Sequence, residues 1–332
     1  MVKTNVQKSK EKSLKTTCWI VTEGMAGTEN QCLGITNALG INPVIKQINL
    51  RAPWKWLSPM LGFENKWIFT GASLEESVQN PYPDILITAG RKSIAAARYI
   101  TKKANKDILS VHVQDPRVHS SEFDLICVPA HDQMRSENTI VTDGAPNLIS
   151  GDALESARQE FKNRFAHLPD KKIAAMIGGN SKTHKMPPEA TNTLCDKITA
   201  LAEQNYGIMV TASRRTGQEN SNILKKRMVH QNIYYWDGTG DNPYHGFLAL
   251  ADYLLVTSDS VSMLSDAAST GKPVFMIPLD GDSKKFAKFY AHLIDIGCMR
   301  YFDGAVYDYK YEPLQDAQKI AVKIKALLKE TT

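Results

Sequence analysis

The chain has 332 residues, more than the roughly 250 to 300 at which a single core stops growing, so two domains are expected, each with a core of its own. Its formal charge of +5 is concentrated at the start, where Lys3, Lys8, Lys10, Lys12 and Lys15 stand against the single Glu11; the near-neutral remainder excludes an extended phosphate-tracking face and, with it, a nucleic-acid partner. Five cysteines, Cys18, Cys32, Cys127, Cys195 and Cys298, are odd in number, scattered and never in a CxxC pair, which fits neither a disulfide framework nor a zinc site and points to a reducing compartment. No run approaches the ~18 apolar residues of a membrane span, and the lysine-rich start leads into a strand-like stretch rather than a signal-peptide core. The expectation is a soluble, cytoplasmic chain.

Residues 1–17 read as a disordered basic tail. Short apolar runs ending in Gly, Thr or Ser then recur at 18–22, 85–89, 110–114, 125–129, 173–178, 208–212, 253–257 and 273–278, with helical segments between them. This is the βαβ rhythm of an α/β protein, and runs such as Ile-Leu-Ile-Thr and Tyr-Leu-Leu-Val-Thr suit parallel strands buried on both faces. Around 146–169 the strands pause, and a charged helical stretch, 152–167, ends at Leu168-Pro169-Asp170. The division is placed there: an N-terminal Rossmann-like domain over 18–168 and a C-terminal nucleotide-binding one over 169–312. Residues 313–332 carry Ile320, Val322, Ile324, Leu327 and Leu328 at helical spacing and read as a closing helix.

Ligands in open α/β sheets bind beyond the carboxyl ends of the strands, so the residues after each run carry the functional reading. Gly178-Gly179-Asn180-Ser181 lets backbone N–H groups approach an anion at a helix start, although an ordinary tight turn accounts for the same glycines. Ser213-Arg214-Arg215-Thr216 places two guanidinium groups where a diphosphate would be neutralised, the alternative being a solvated surface pair. The strongest local pattern is Thr257-Ser258-Asp259-Ser260-Val261-Ser262-Met263: four hydroxyls and the unpaired N–H groups of a helix start can cup phosphate oxygens without a metal. Helix capping explains one of these residues but not the cluster. Asp266, further along that helix, is placed to accept hydrogen bonds from a ribose, and the loop 236–244 to wrap a base or sugar.

The first half offers a loop over 23–31, with Gly24, Gly27, Glu29, Asn30 and Gln31, then Gly90-Arg91-Lys92-Ser93 and Gln114-Asp115-Pro116-Arg117. The first lacks the glycine spacing of a dinucleotide turn. His131 and Asp132 follow the run 125–129, and either can act as a general base on an acceptor hydroxyl. No HExxH, paired-Cys or GxSxG spacing is present, so neither a metal nor a cofactor is expected. The stretch 51–63 sets Trp54, Trp56 and Phe63 beside cations, which suits either a membrane-interface patch or a buried edge helix.

Taken in order, residues 18–22 with Gly24, Gly27, Glu29, Asn30 and Gln31, Ala89-Gly90-Arg91-Lys92-Ser93, Gln114-Asp115-Pro116-Arg117, Pro129 with His131-Asp132, Ile177-Gly178-Gly179, Ser213-Arg214-Arg215-Thr216, Asn242-Pro243-Tyr244 and the block 256–274 resemble the mitochondrial fission ELM1-like family. The C-terminal pattern also resembles GT-B glycosyltransferases. The second resemblance implies two Rossmann-like domains facing a cleft, with residues 258–263 and Arg214 or Arg215 on the diphosphate, Asp266 on the ribose, and Gly27 with its neighbours on the acceptor side. Where relatives carry a histidine in the first loop this chain has Thr28, which leaves His131, Asp132 or Asp115 as the candidate base. Two functions are therefore expected as alternatives. One is a metal-independent glycosyltransferase that takes a nucleotide-sugar donor and a lipid-linked or glycan acceptor in cell-envelope synthesis, at the inner face of the membrane. The other is a non-catalytic adaptor working through protein or membrane contacts.

Overall fold

The computed structural model describes residues 16–60, 68–70, 81–104, 107–281 and 283–330. It contains two six-stranded, wholly parallel sheets, one in each of two compact units. The first unit holds β1 (Cys18–Thr22), β2 (Val44–Gln47), β3 (Ile85–Ala89), β4 (Leu109–Val113), β5 (Leu125–Pro129) and β6 (Thr139–Thr142) in the order β2-β1-β3-β4-β5-β6. The second holds β7 (Lys172–Ile177), β8 (Gly207–Ala212), β9 (Ile233–Trp236), β10 (Tyr253–Thr257), β11 (Val274–Ile277) and β12 (Met299–Tyr301) in the order β12-β11-β10-β7-β8-β9. The latter is the Rossmann order, reversing direction between β7 and β10, and the former reverses between β1 and β3.

The central strands form because both of their faces are covered. All five residues of β1, β3 and β10 are buried, and alternate residues feed opposite cores. In the first sheet Trp19 and Val21 pack with Ile94 and Ile126, while Cys18 and Ile20 pack with Ile35 and Ile87. In the second, Ala174 and Met176 face Phe247 and Leu264, while Ile173 and Ala175 face Leu194 and Ile198. Local signals set the helix ends. The helix Ala26–Leu39 stops at Gly40, whose φ of 74° is the left-handed cap glycine adopts without strain. The helix Lys284–Asp295 starts at Ser283, whose hydroxyl accepts from Phe286 N–H.

The chain changes units over residues 142–149, upstream of the division expected after 168. The reason is the helix Gly151–Phe161, which packs on the second unit: Phe161 joins Phe165 and Phe247 in its core, and Gly246 passes so close that a Cβ there would lie 2.5 Å from the Phe161 ring. The last helix, Asp316–Glu330, belongs to the first unit, where Ile320, Ala321 and Ile324 are buried with Ile20 and Ile35. Among the described residues no helix is long and apolar enough to cross a membrane.

Candidate functional site

The reversal between β7 and β10 brings three of the sequence-predicted loops together at the carboxyl end of the second sheet. Gly178 N–H donates to Thr257 Oγ1 at 2.7 Å, and that hydroxyl donates to Asp259 Oδ1 at 2.7 Å. Asn180 N–H donates to Arg215 O at 2.9 Å, and Thr216 Oγ1 donates to the Gly178 carbonyl. Ser213 and Thr216 close a reciprocal capping box around the short turn Arg214–Thr216. The Asp259 carboxylate is wholly buried, with Oδ2 2.8 Å from Arg215 Nη2 but out of line for a hydrogen bond. Arg215 thereby compensates a charge that would otherwise be costly to bury.

These contacts divide the predicted residues into two groups. Gly178, Gly179, Thr257, Asp259 and Arg215 are committed to holding the loops together. Ser258 Oγ accepts from Leu279 N–H, Ser260 Oγ caps the helix Val261–Ala268 through Met263 N–H, and Asn180 Oδ1 accepts from Met186 N–H. No helix starts at Gly178-Gly179: the next one, Pro188–Glu203, begins ten residues after Gly178. The glycines are there because the β8 and β10 loops press on them. The groups left to meet a ligand are the N–H groups of Val261 and Ser262 at the start of the helix Val261–Ala268, the Ser262 hydroxyl and the exposed Arg214, none of which has a side-chain partner among the described residues, whereas the next N–H, that of Met263, is already capped by Ser260.

Asp266 is half-buried, and one of its two carboxylate oxygens is already engaged. Its Oδ2 accepts from the Tyr244 hydroxyl at 2.9 Å, and burial pushes its carboxyl up to about 7 against the lowering effect of that hydrogen bond. Behind the β10 loop lies a network that the sequence reading missed. The Tyr290 hydroxyl donates to Ser258 O at 2.6 Å and sits 2.9 Å from Nε2 of His184, a fully buried ring. With the hydroxyl proton directed to the carbonyl, Nε2–H is the donor to Tyr290. His184 sits six residues past Gly178 and Tyr290 lies on a distant helix, so nothing in their spacing announces the pair.

In the first unit, the loop expected over 23–31 is short, because the helix Ala26–Leu39 already contains Gly27, Thr28, Glu29, Asn30 and Gln31. Gln31 Oε1 accepts from Gln114 Nε2 at 3.2 Å, which joins this helix to the loop after β4. Gly24 and Gly90 both adopt positive φ, at 77° and 83°, in the turns after β1 and β3, and the Arg91 carbonyl accepts from Ser58 Oγ at 3.0 Å. Asp115 Oδ1 accepts from Arg117 N–H within its own turn at 2.9 Å. His131 is buried at the end of β5 beside the half-buried Asp132. Of the aromatic residues considered for a membrane contact, Trp54 is a core residue, Trp56 is 72% exposed, and Phe63 lies outside the described residues. Burial of Trp54 removes it from any membrane surface.

The mitochondrial fission ELM1 family matches residues 26–328. This chain belongs to that family. It is 27% identical to the mitochondrial fission protein ELM1 of Arabidopsis thaliana over 92% of its length and 90% of the relative's. It is also 27% identical to the uncharacterized protein RP120 of Rickettsia prowazekii (strain Madrid E), over 94% and 98%. Three solved structures share the fold at low identity. The UDP-GlcNAc 2-epimerase of Methanocaldococcus jannaschii has a TM-score of 0.57 at 14% identity, covering 94% of this chain and all of that one. The Neisseria meningitidis UDP-GlcNAc 2-epimerase bound to UDP-GlcNAc scores 0.54 at 15%, covering 95% and 100%. The E. coli ADP-heptose heptosyltransferase II scores 0.50 at 12%, covering 96% and 100%. Paired Rossmann-like units of this kind make the GT-B architecture, and the ELM1 family member has it.

Proposed function

We propose that this ELM1 family protein binds a nucleotide sugar through its second unit and transfers the sugar to an acceptor hydroxyl without a metal. The observation that carries the reading is the convergence of the β7, β8 and β10 loops at the reversal of a Rossmann-order sheet. The loops that carry Arg214 and the start of the helix Val261–Ala268 are joined by the Arg215–Asp259 pair, and Arg214, the Ser262 hydroxyl and the N–H groups of Val261 and Ser262 have no side-chain partner among the described residues, while the surrounding polar groups are locked in place. A diphosphate at the helix Val261–Ala268 would receive N–H donors and a guanidinium, which together replace a cation as the stabiliser of a departing nucleoside diphosphate. Among the fold relatives, the Neisseria meningitidis epimerase is bound to UDP-GlcNAc and the E. coli heptosyltransferase is named for ADP-heptose, which makes a nucleotide sugar the first class to test. In the same reading His131, Asp132 or Asp115 of the first unit takes the acceptor proton, and the acceptor is a lipid-linked or free glycan.

Isothermal titration with UDP, GDP, CMP and their sugar conjugates tests the reading. Binding of one nucleotide, weakened about ten-fold or more in both Arg214→Ala and Ser262→Ala, is the expected result. A second reading, a non-catalytic adaptor, draws on the number of polar groups that the site satisfies internally: Thr257, Ser258, Asp259 and Ser260 all bond within the protein. No binding to any nucleotide would favour it.

A further inference from the structure

We propose that the first unit has a binding site of its own for a ring-bearing phosphate monoester, in the cavity at the carboxyl ends of β1, β2 and β3. The cavity has a volume of about 510 Å³, within the range of roughly 300 to 1,000 Å³ common for small-molecule sites. Glu23 enters it just after β1, Ile48 and Asn49 just after β2, and Lys92 from the turn after β3. It therefore occupies the reversal of the first sheet, between β1 and β3, where open parallel sheets receive ligands.

Three cations line it, Arg51, Lys55 and Lys92, against the one carboxylate of Glu23. Lys92 Nζ lies 2.5 Å from Glu23 Oε2, so those two charges answer each other. Arg51 and Lys55 have no ion-pair partner among the described residues. They share one turn, with Lys55 N–H donating to Arg51 O at 3.0 Å, which sets two like charges side by side at a mutual cost. An anion between them relieves that repulsion. A phosphate monoester carries a charge between −1.5 and −2 at neutral pH, roughly matching the two uncompensated cations, and its oxygens suit a guanidinium fork.

The remainder of the ligand is indicated by Trp56. It lines the cavity and is 72% exposed, an indole face with no ring partner among the described residues, where a sugar or other ring can lie. The segment that holds these groups is anchored rather than loose: Trp54 is buried in the core, and the Ser58 hydroxyl donates to Arg91 O at 3.0 Å across to the β3 turn. Every residue named belongs to the first unit, so the site stands whether or not the second unit binds a nucleotide.

The test is calorimetric titration of the full chain with glucose 1-phosphate, inorganic phosphate, and vesicles containing phosphatidylglycerol. Arg51→Ala and Lys55→Ala should each weaken glucose 1-phosphate binding about ten-fold, and Lys103→Ala, which removes the same charge at the far end of the helix Ser93–Lys103, should not change it. Glu23→Gln should tighten it by freeing Lys92, a gain that misfolding cannot imitate. Binding of inorganic phosphate or of the vesicles at least as tight as that of glucose 1-phosphate, lost in the same two variants, overturns the ring-bearing monoester and reassigns the cations to the free ion or to a phosphodiester headgroup. Absence of binding by all three probes overturns the proposal, as does binding indifferent to Arg51 and Lys55 or weakened by Glu23→Gln.

Discussion

A Cβ on Gly178 would lie 2.0 Å from Asp259 Oδ1, and one on Gly179 would lie 2.3 Å from Arg215 O at a φ of 154° that side chains rarely adopt. Gly178→Ala should therefore cost about 3 kcal/mol of stability, read as a shift in the urea midpoint, because the buried carboxylate has nowhere to move. An unchanged midpoint would mean that the loops do not pack as described. Asp266 makes a prediction about pH. Its carboxyl ionises near 3.8 in the unfolded chain and near 7 when folded, so between those values the folded state keeps a proton that the unfolded state has lost. Its stabilising contribution is whole below 3.8 and disappears as pH rises through 7. Against Asp266→Asn, the wild type should thus lose on the order of 1 kcal/mol between pH 5 and pH 8, measured by urea unfolding at both. At this scale the sequence showed which residue types crowd the strand ends, but not their roles: hydroxyls that look like phosphate ligands, Thr257 and Ser258, turn out to bond to neighbouring loops.

The helix Lys284–Asp295 acts on the site from behind, since its Tyr290 holds the Ser258 carbonyl and meets His184. Tyr290→Phe leaves the Ser258 carbonyl and the His184 ring without that hydroxyl in a buried region, and should destabilise the second unit by about 1–3 kcal/mol. Nucleotide binding should weaken with it if the β10 loop is the ligand platform, while Tyr290→His, which can still donate, should restore part of the loss. Central strands were legible because burial on both faces writes a continuous apolar run, as in β3 and β10. The edge strands β2, β6 and β12 were not predicted. Val44-Ile45-Lys46-Gln47 has one buried residue of four, and β12 is three residues long, so neither carries the apolar continuity or the clean alternation on which such a reading depends.

The units differ in how far they depend on distant chain. The last helix gives Ile320, Ala321 and Ile324 to the first unit's core, and burying each isoleucine is worth about 1.5–3 kcal/mol. Ending the chain at Leu314 should accordingly expose amides of β1 and of the helix Ala26–Leu39 to hydrogen exchange while leaving β7 and β10 protected. Equal loss of protection in both units would show that they unfold as one. A nucleotide bound as proposed should protect the loops after β7, β8 and β10 and leave the first unit unchanged.

By itself the sequence determined the α/β class and the parallel sheets, because apolar runs spaced by amphipathic helices permit few other arrangements, and its resemblance to GT-B glycosyltransferases implied the paired Rossmann-like architecture. It also pointed to the loops that converge after β7, β8 and β10, since small and polar residues gather where strands end. Only the tertiary structure decided which of those residues remain unpaired, that Trp54 is core while Trp56 is exposed, and that the final helix returns to the first unit. Those outcomes depend on contacts between segments distant in the chain, such as Gly178 with Thr257 and Ile320 with Ile35, whose free energy leaves no local mark in composition or spacing.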